Sequence, residues 1–393
     1  MPSWDVHFGL SVDLSSTDIV RQIERAHALS TVIQEIPIPP YLKVELDAMN
    51  IMRAVRGTTA IEGAEVSTAE VREIMRSPAR MTLPQARQRD EQEVKNAQQV
   101  MLYVASILKR YPNHPITQTL ICSIHELTTR NIPYESNEPG KYRNCPVSAA
   151  DYQAPPHDEV RRLMTEFVDW LNSPPAANWD PIIRALAAHF YVISIHPFGD
   201  GNGRTSRALE SFLLYQGNVN ARGFYSLANY YYQHRPDYVW HLDNARFNSQ
   251  NDLTPFIRFG LNGLVEELQA VHAQVVDEVR LISFRDYARE MFQHTGRLGT
   301  KAGARIFHLL IAMGRDPMPL AEIAASPLYR KVSTRTLQRD IAMLKEQELV
   351  RIEDGAVVPN LELLDRFTLN EFGEAAEFEY DPQQLELQEG TPD

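Results

Sequence analysis

Residues 180–215 read DPIIRALAAHFYVISIHPFGDGNGRTSRALESFLLY, and the fold and the chemistry of the chain follow from this stretch. Asp180-Pro181 supplies a helix N-cap followed by proline at the first helical position. Ile182–Ile195 is apolar nearly throughout, which predicts a buried helix that delivers His196. At fourteen residues, with Arg184 and His189 inside it, the run is too short for a membrane span. A second apolar helical stretch, 208–215, follows the loop. Gly199, Gly201 and Gly203 would let the loop backbone take positive φ and approach a ligand, so that several N–H groups converge on one anion. The amino end of the second helix adds a partial positive charge. Arg204 and Arg207 stand three apart on one helical face and can bind phosphate oxygens bidentately. Asp200 suits a magnesium ion that keeps most of its waters, and His196 can accept a proton near neutral pH. These residue types in this order predict a phosphate site.

Other phosphate and metal designs are excluded by spacing. A calcium loop starting at Asp200 would need glycine where Thr205 stands. Neither a Gly-x4-Gly-Lys-Ser/Thr segment nor a Gly-x-Gly-x-x-Gly fingerprint occurs. The net charge of −12 over 393 residues argues against a nucleic-acid coat or an anionic membrane as main partner. Two cysteines, Cys122 and Cys145, make no disulfide framework or metal spacing. With no basic-then-apolar leader at the amino terminus, the expectation is a soluble, cytoplasmic chain without a membrane partner.

The segment 196–207 resembles the signature of the Fic-domain family, His-Pro-Phe-x-Asp/Glu-Gly-Asn-Gly-Arg-x-x-Arg, with every defined position filled. The resemblance implies a protein adenylyltransferase, an enzyme that moves AMP from Mg-ATP to a Ser, Thr or Tyr hydroxyl of a target protein. In that reading His196 takes the hydroxyl proton and Asp200 holds Mg2+ against the α- and β-phosphates. Gly199 belongs to the ATP loop; Asn202 and the N–H groups around Gly201 and Gly203 cradle phosphates, Arg204 stabilises leaving pyrophosphate, and Arg207 holds the γ-phosphate. Such chemistry needs positioning and charge neutralisation more than covalent catalysis. Thr58-Thr59-Ala60-Ile61-Glu62-Gly63 resembles the family's inhibitory helix, which implies that Glu62 pairs with Arg207 and occupies the γ-phosphate space, with Gly63 as a left-handed cap. Residues 139–143, Val147 and 152–156 are similar to the β-hairpin flap that registers a target strand; Ala149 stands where a larger apolar residue is usual. Tyr238 aligns with a tyrosine bordering adenine, with core packing as the other reading of its aromatic neighbours. Removal of AMP with Glu62 orienting a water, transfer of another nucleotide, and a regulator using the domain as nucleotide sensor stay open. A homodimer is plausible from the family.

The expected fold is mainly α: a helical Fic core with a short β-hairpin flap, plus a carboxy-terminal winged helix-turn-helix domain. Helical periodicity covers 17–36, 41–55, 90–110, 115–130 and 158–172, with 254–292 helical after Thr254 caps Pro255. The expected domains are 1–90 with the inhibitory motif, 91–295 as catalytic core, 300–368 as winged helix, and an acidic, disordered tail over 370–393. In the winged helix, segments 302–313, 320–325 and 333–347 read as helices, and Glu353-Asp354-Gly355 as the turn of a hairpin. Arg335 and Arg339 on the third helix could meet DNA. From 330 to 355, however, six Lys/Arg face five Asp/Glu, and this net +1 favours dimerisation or target docking over DNA.

Overall fold

The computed structural model describes residues 6–9, 11–77, 81–149, 152–219, 227–247 and 252–366. It is mainly helical, as the periodicity predicts. In chain order the elements are α1 (Thr17–Glu35), α2 (Pro40–Ile61), α3 (Thr68–Arg76), α4 (Gln88–Arg110), α5 (Gln118–Thr129), β1 (Ser148–Ala149), β2 (Tyr152–Gln153), α6 (Val160–Asn172), α7 (Pro174–Ala177), α8 (Pro181–Ile195), α9 (Asn202–Gln216), α10 (Leu227–Gln233), α11 (Arg235–Phe247) and α12 (Thr254–His294). There follow α13 (Lys301–Ala312), β3 (Met318–Pro319), α14 (Leu320–Ala325), α15 (Thr334–Glu346), β4 (Val350–Glu353) and β5 (Ala356–Pro359). The chain divides into two compact units, 1–275 and 276–393.

In the first unit α8 is the central helix. Its residues from Ile182 to Ile195 are buried save Arg184 and Ile193, and it packs along α9. Asp180 caps it as expected, its Oδ1 accepting from the N–H of Ile182 at 2.8 Å while Oδ2 holds His27 of α1 at 2.7 Å. Around this pair, α9 touches α4 and α5, and α2 lies against α4 and α10. The close approach of α2 to α10 requires Gly57, where a Cβ would sit 2.7 Å from the amide N of Asn229. α2 runs six residues beyond the predicted Val55, and the added turns carry the inhibitory motif. The cap of α12 also differs from the expectation: Asp252 Oδ1 accepts from Thr254 N at 2.9 Å, while the Thr254 hydroxyl accepts from Asp13 N at 2.8 Å. The hydroxyl is therefore used to hold the amino-terminal segment.

The second unit has its own core, including Phe284, Phe292, Leu310, Ile341, Leu344 and Val357. It takes in the last turns of α12, which the sequence places in the catalytic core. The expected hairpin is β4–β5, with Ile352 opposite Val357 and the turn at Asp354-Gly355, both at positive φ. A third strand, β3, pairs with β5 to give the order β3-β5-β4. The expected tail, 370–393, lies outside the described residues. Among the described residues, no helix is long and apolar enough to cross a membrane.

Candidate active site

The site forms where α8 ends and α9 begins. His196 terminates α8 in the left-handed region, at φ 52° and ψ 57°, which turns its ring out of the helix. Its Nδ1 lies 3.2 Å from the Ile193 carbonyl oxygen. A carbonyl only accepts, so Nδ1 carries the proton and Nε2 keeps a free lone pair. Burial pushes the imidazole down to about 4, helped by the Arg246 and Arg143 charges and opposed by the Ile193 hydrogen bond and by Glu62. The ring is therefore neutral at neutral pH.

The loop that follows is shaped by close approach. Of its three glycines only Gly201 has positive φ, at 74°; it ends the turn and serves as N-cap of α9. Gly199 and Gly203 do not take the positive φ predicted for them. They are glycines because space is lacking: a Cβ at 199 would meet the Ser136 carbonyl oxygen at 2.0 Å, and one at 203 would sit 2.4 Å from Glu62 Oε1 and 3.0 Å from Arg207 Nη1. No side chain caps the amino end of α9, so its first N–H groups face the cleft available to an anion. Asn202 lines the cleft as well. Its amide is spent on the loop itself, Oδ1 accepting from Phe198 N and Nδ2 donating to Phe198 O, both at 2.9 Å.

Asp200 and Arg204 form the next layer. The Asp200 side chain is 40% exposed and accepts from Arg204 Nη2 at 3.1 Å. Arg204 is buried; Nη2 also donates to the Tyr134 hydroxyl at 3.0 Å, and Nη1 lies 3.2 Å from Glu93 Oε1 of α4. Burial works against its charge, and Glu93, Tyr134 and Glu62 outweigh that effect. Asp200 lines the cleft together with Glu62 and Asp243, and as the carboxylate beside the uncapped helix end it could hold a hydrated magnesium ion. Among the described residues no group of three or more His, Cys, Asp and Glu forms a metal cage, so a protein-only site is not built here.

Arg207 is buried and committed to α2. Its Nε donates to Thr58 Oγ1 at 2.9 Å, and Nη2 donates to Thr58 O at 3.1 Å and to Glu62 Oε1 at 2.7 Å. Glu62 caps α2, and Gly63 at φ 99° turns the chain away as expected. Burial raises the Glu62 pKa, but the Arg207 and Arg204 charges outweigh it and leave the carboxylate below its ordinary value. Glu62, His196, Gly199 to Gly203, Arg207 and Tyr238 line one cleft of about 380 Å³. Tyr238 thus reaches the site, yet it is 4% exposed and its hydroxyl is bonded to His189 Nε2 at 2.9 Å.

The hairpin closes one side. β1 and β2 pair antiparallel with Ala149 opposite Tyr152, and Ser148 and Ala149 line the cleft. Arg143, from the flap segment quoted above, and His125, which had no sequence signal, fasten it. Arg143 donates from Nε to the His196 carbonyl at 2.8 Å and from its backbone N–H to Pro197 O at 2.9 Å. His125 of α5 stacks on Phe198 at 3.7 Å, reaches Asp200 O at 3.0 Å and accepts from Gly140 N at 3.0 Å. Thr58 opens the motif quoted from the sequence and lies one helical turn before Glu62 on the same face.

Residues 115–214 match the model of the Fic/DOC family. A Fic/DOC domain therefore lies within this chain. The region around the Fic domain is similar to curated relatives called protein adenylyltransferase Fic: 32% identity over 202 residues with that of Aedes aegypti, covering 51% of this chain and 38% of the relative, and 31% over 203 residues with that of Nematostella vectensis, covering 51% and 44%. These matches span about two fifths of the relatives' length. Among solved structures, a Fic family protein from Desulfovibrio desulfuricans G20 matches with a TM-score of 0.56 over 90% of this chain and 98% of that one at 20% identity, a likeness of fold. Fic-1 (residues 134–508) of Caenorhabditis elegans matches with a TM-score of 0.55 at 25% identity, over 66% and 74%.

Proposed function

We propose that the chain is a protein adenylyltransferase held in check by Glu62. The observation that carries this reading is the placement of a neutral imidazole, with Nε2 free, in the same cleft as an uncapped helix amino end and the Arg207 guanidinium. In the reaction a target hydroxyl oxygen attacks the α-phosphorus of ATP, its proton passes to His196 Nε2, and the bond to the β-phosphate oxygen breaks to release pyrophosphate. The α9 amino end and Arg204 face the charge that develops on the phosphates. Magnesium, held by Asp200, would supply charge neutralisation at the α- and β-phosphates. Gly203 leaves room for a phosphate where a methyl would stand. Glu62 fills the place of the γ-phosphate and takes the Arg207 hydrogen bond that ATP needs, so the wild-type chain has low transfer activity. A target strand adds along the flap beside Ser148 and Ala149. The names of the curated relatives support this chemistry.

A second reading follows from Glu62 remaining charged beside His196. The same carboxylate is placed to orient a water toward a bound adenylyl group, and the wild-type chain would then remove AMP.

We read the second unit as a winged helix, with α13, α14 and α15 as the three helices and β4–β5 as the wing. Arg335 and Arg339 are exposed on α15. The near-neutral charge around them supports docking or dimerisation over DNA.

The test of the main reading is intact mass after incubation with Mg-ATP. Glu62→Gly should gain one adenylyl group on the chain or on an added target, and Glu62→Gly combined with His196→Ala should gain none. A gain that survives loss of His196, or UTP or GTP used in preference to ATP, would overturn it.

A further inference from the structure

Asp200 is held from outside the 196–207 loop. Its backbone is fixed at both polar groups: the N–H donates to Asn137 Oδ1 at 3.1 Å, and the carbonyl oxygen accepts from His125 Nε2 at 3.0 Å. Its side chain is set by Arg204, whose Nη2 donates to Oδ1 at 3.1 Å. Arg204 in turn belongs to a closed ring of four side chains. Nη2 also donates to the Tyr134 hydroxyl at 3.0 Å, and Nη1 lies 3.2 Å from Glu93 Oε1. The same Oε1 lies 3.4 Å from Arg89 Nε, one turn earlier on α4, and the Arg89 guanidinium covers the Tyr134 ring at 4.9 Å from its centroid. Nη2 has two hydrogens, so both are committed, one to Tyr134 and one to Asp200. The side chains of Glu93 and Arg204 are 6% and 5% exposed, so water does not loosen their contact. Of the three side chains that hold Arg204, Asp200 alone lines the cleft.

We propose that Glu93 and Tyr134 are positioning residues that aim the Asp200 carboxylate through Arg204, so that it meets a hydrated magnesium ion on a bound nucleotide without rearranging. Asp200 and Arg204 stand four apart, a spacing at which an exposed pair samples several geometries and holds weakly. The anchors on α4 and in the loop after α5 remove that freedom. Oδ1 accepts from both Arg204 Nη2 and the Gly201 N–H, which leaves Oδ2 for a cation. A carboxylate fixed in advance does not lose side-chain freedom when the metal arrives. The inference rests on the reading of Asp200 as the magnesium carboxylate of a nucleotide cleft.

The experiment measures ATP binding by calorimetry, with magnesium and with EDTA, in a Glu62→Gly parent and in the same protein carrying Tyr134→Phe or Glu93→Asp. Both variants keep the net charge, so neither alters the long-range attraction for phosphates. The preference for Mg-ATP over metal-free ATP should fall by about fivefold in each, less than the roughly tenfold of a charged hydrogen bond lost directly, while metal-free affinity stays within about twofold. Asp200→Asn in the parent should remove the preference, and Tyr134→Phe should then cost nothing further. An unchanged preference, an equal loss with and without magnesium, or a Tyr134→Phe effect that persists beside Asp200→Asn would show support of the fold alone. Each of these would overturn the inference and leave the proposed function standing. If Glu93→Asp does not fold, as read by its thermal unfolding, Tyr134→Phe decides the matter. A parent that binds ATP no better with magnesium than without it would remove the magnesium reading of Asp200, and the inference with it.

Discussion

At the scale of single residues, the chemistry of the cleft turns on the titration of His196. Burial disfavours the imidazolium, so the proton leaves at about 4 and the neutral base persists from neutral pH down to mildly acid conditions. The sign is opposite to that of a histidine gaining a carboxylate partner: folding favours the neutral form, and the stability it lends is lost as pH falls below the unfolded value of about 6.5. A histidine C2 proton that NMR follows through a midpoint near 4, and that vanishes in His196→Ala, is the expected result; a midpoint near 6.5 would contradict the burial. Gly203→Ala tests the cradle. Its methyl would press on the ends of two flexible side chains, so the fold should survive with an unchanged Tm, while affinity for Mg-ATP falls by about tenfold in a Glu62→Gly background. At this scale the sequence was legible in residue type and less so in direction. His196, Arg207 and Glu62 meet as read, because motif spacing on two helices fixes them. The direction of the Asn202 amide was not legible, since it is bonded to both backbone groups of Phe198 along the path of the loop. That path is not written in the spacing.

Elements set where these residues stand, and α2 is the one that brings Glu62 to Arg207. Its fit against α10 depends on Gly57, and Gly57→Ala would place a methyl 2.7 Å from backbone atoms that cannot rotate away. The expected cost is about 1–3 kcal/mol, seen in chemical denaturation, together with raised basal transfer as Glu62 loses its register with Arg207. Unchanged stability would mean that α2 and α10 can separate freely. Helices with clean caps were readable in advance, α8 above all, because Asp180, Pro181 and a nearly continuous apolar run leave one solution. β3 was missed because two residues, one of them proline, carry no period. How Arg143 and His125 bind the flap to the loop was not read, because the carbonyls they reach, those of His196 and Asp200, stand more than fifty positions away in the chain. Long-range contacts of that kind leave no local pattern.

For the whole molecule, the sequence reading set boundaries near residues 90 and 295, while the chain divides into units 1–275 and 276–393. A single helix, α12, runs through the boundary, so neither composition nor a turn signal marks it. The winged-helix reading predicts weak, sequence-independent DNA association: fluorescence anisotropy with a generic duplex should give a Kd no tighter than about 10⁻⁶ M at physiological salt, and a steep salt dependence with tight binding would reverse the preference for docking. The central claim joins both scales, that Glu62 occupies through Arg207 the place of a terminal phosphate. Calorimetric titration of Mg-ATP into the wild-type chain and into Glu62→Gly tests it most directly. Removing the carboxylate should tighten ATP by at least about tenfold and leave ADP nearly unchanged. Equal ATP affinities in the two proteins would contradict the claim.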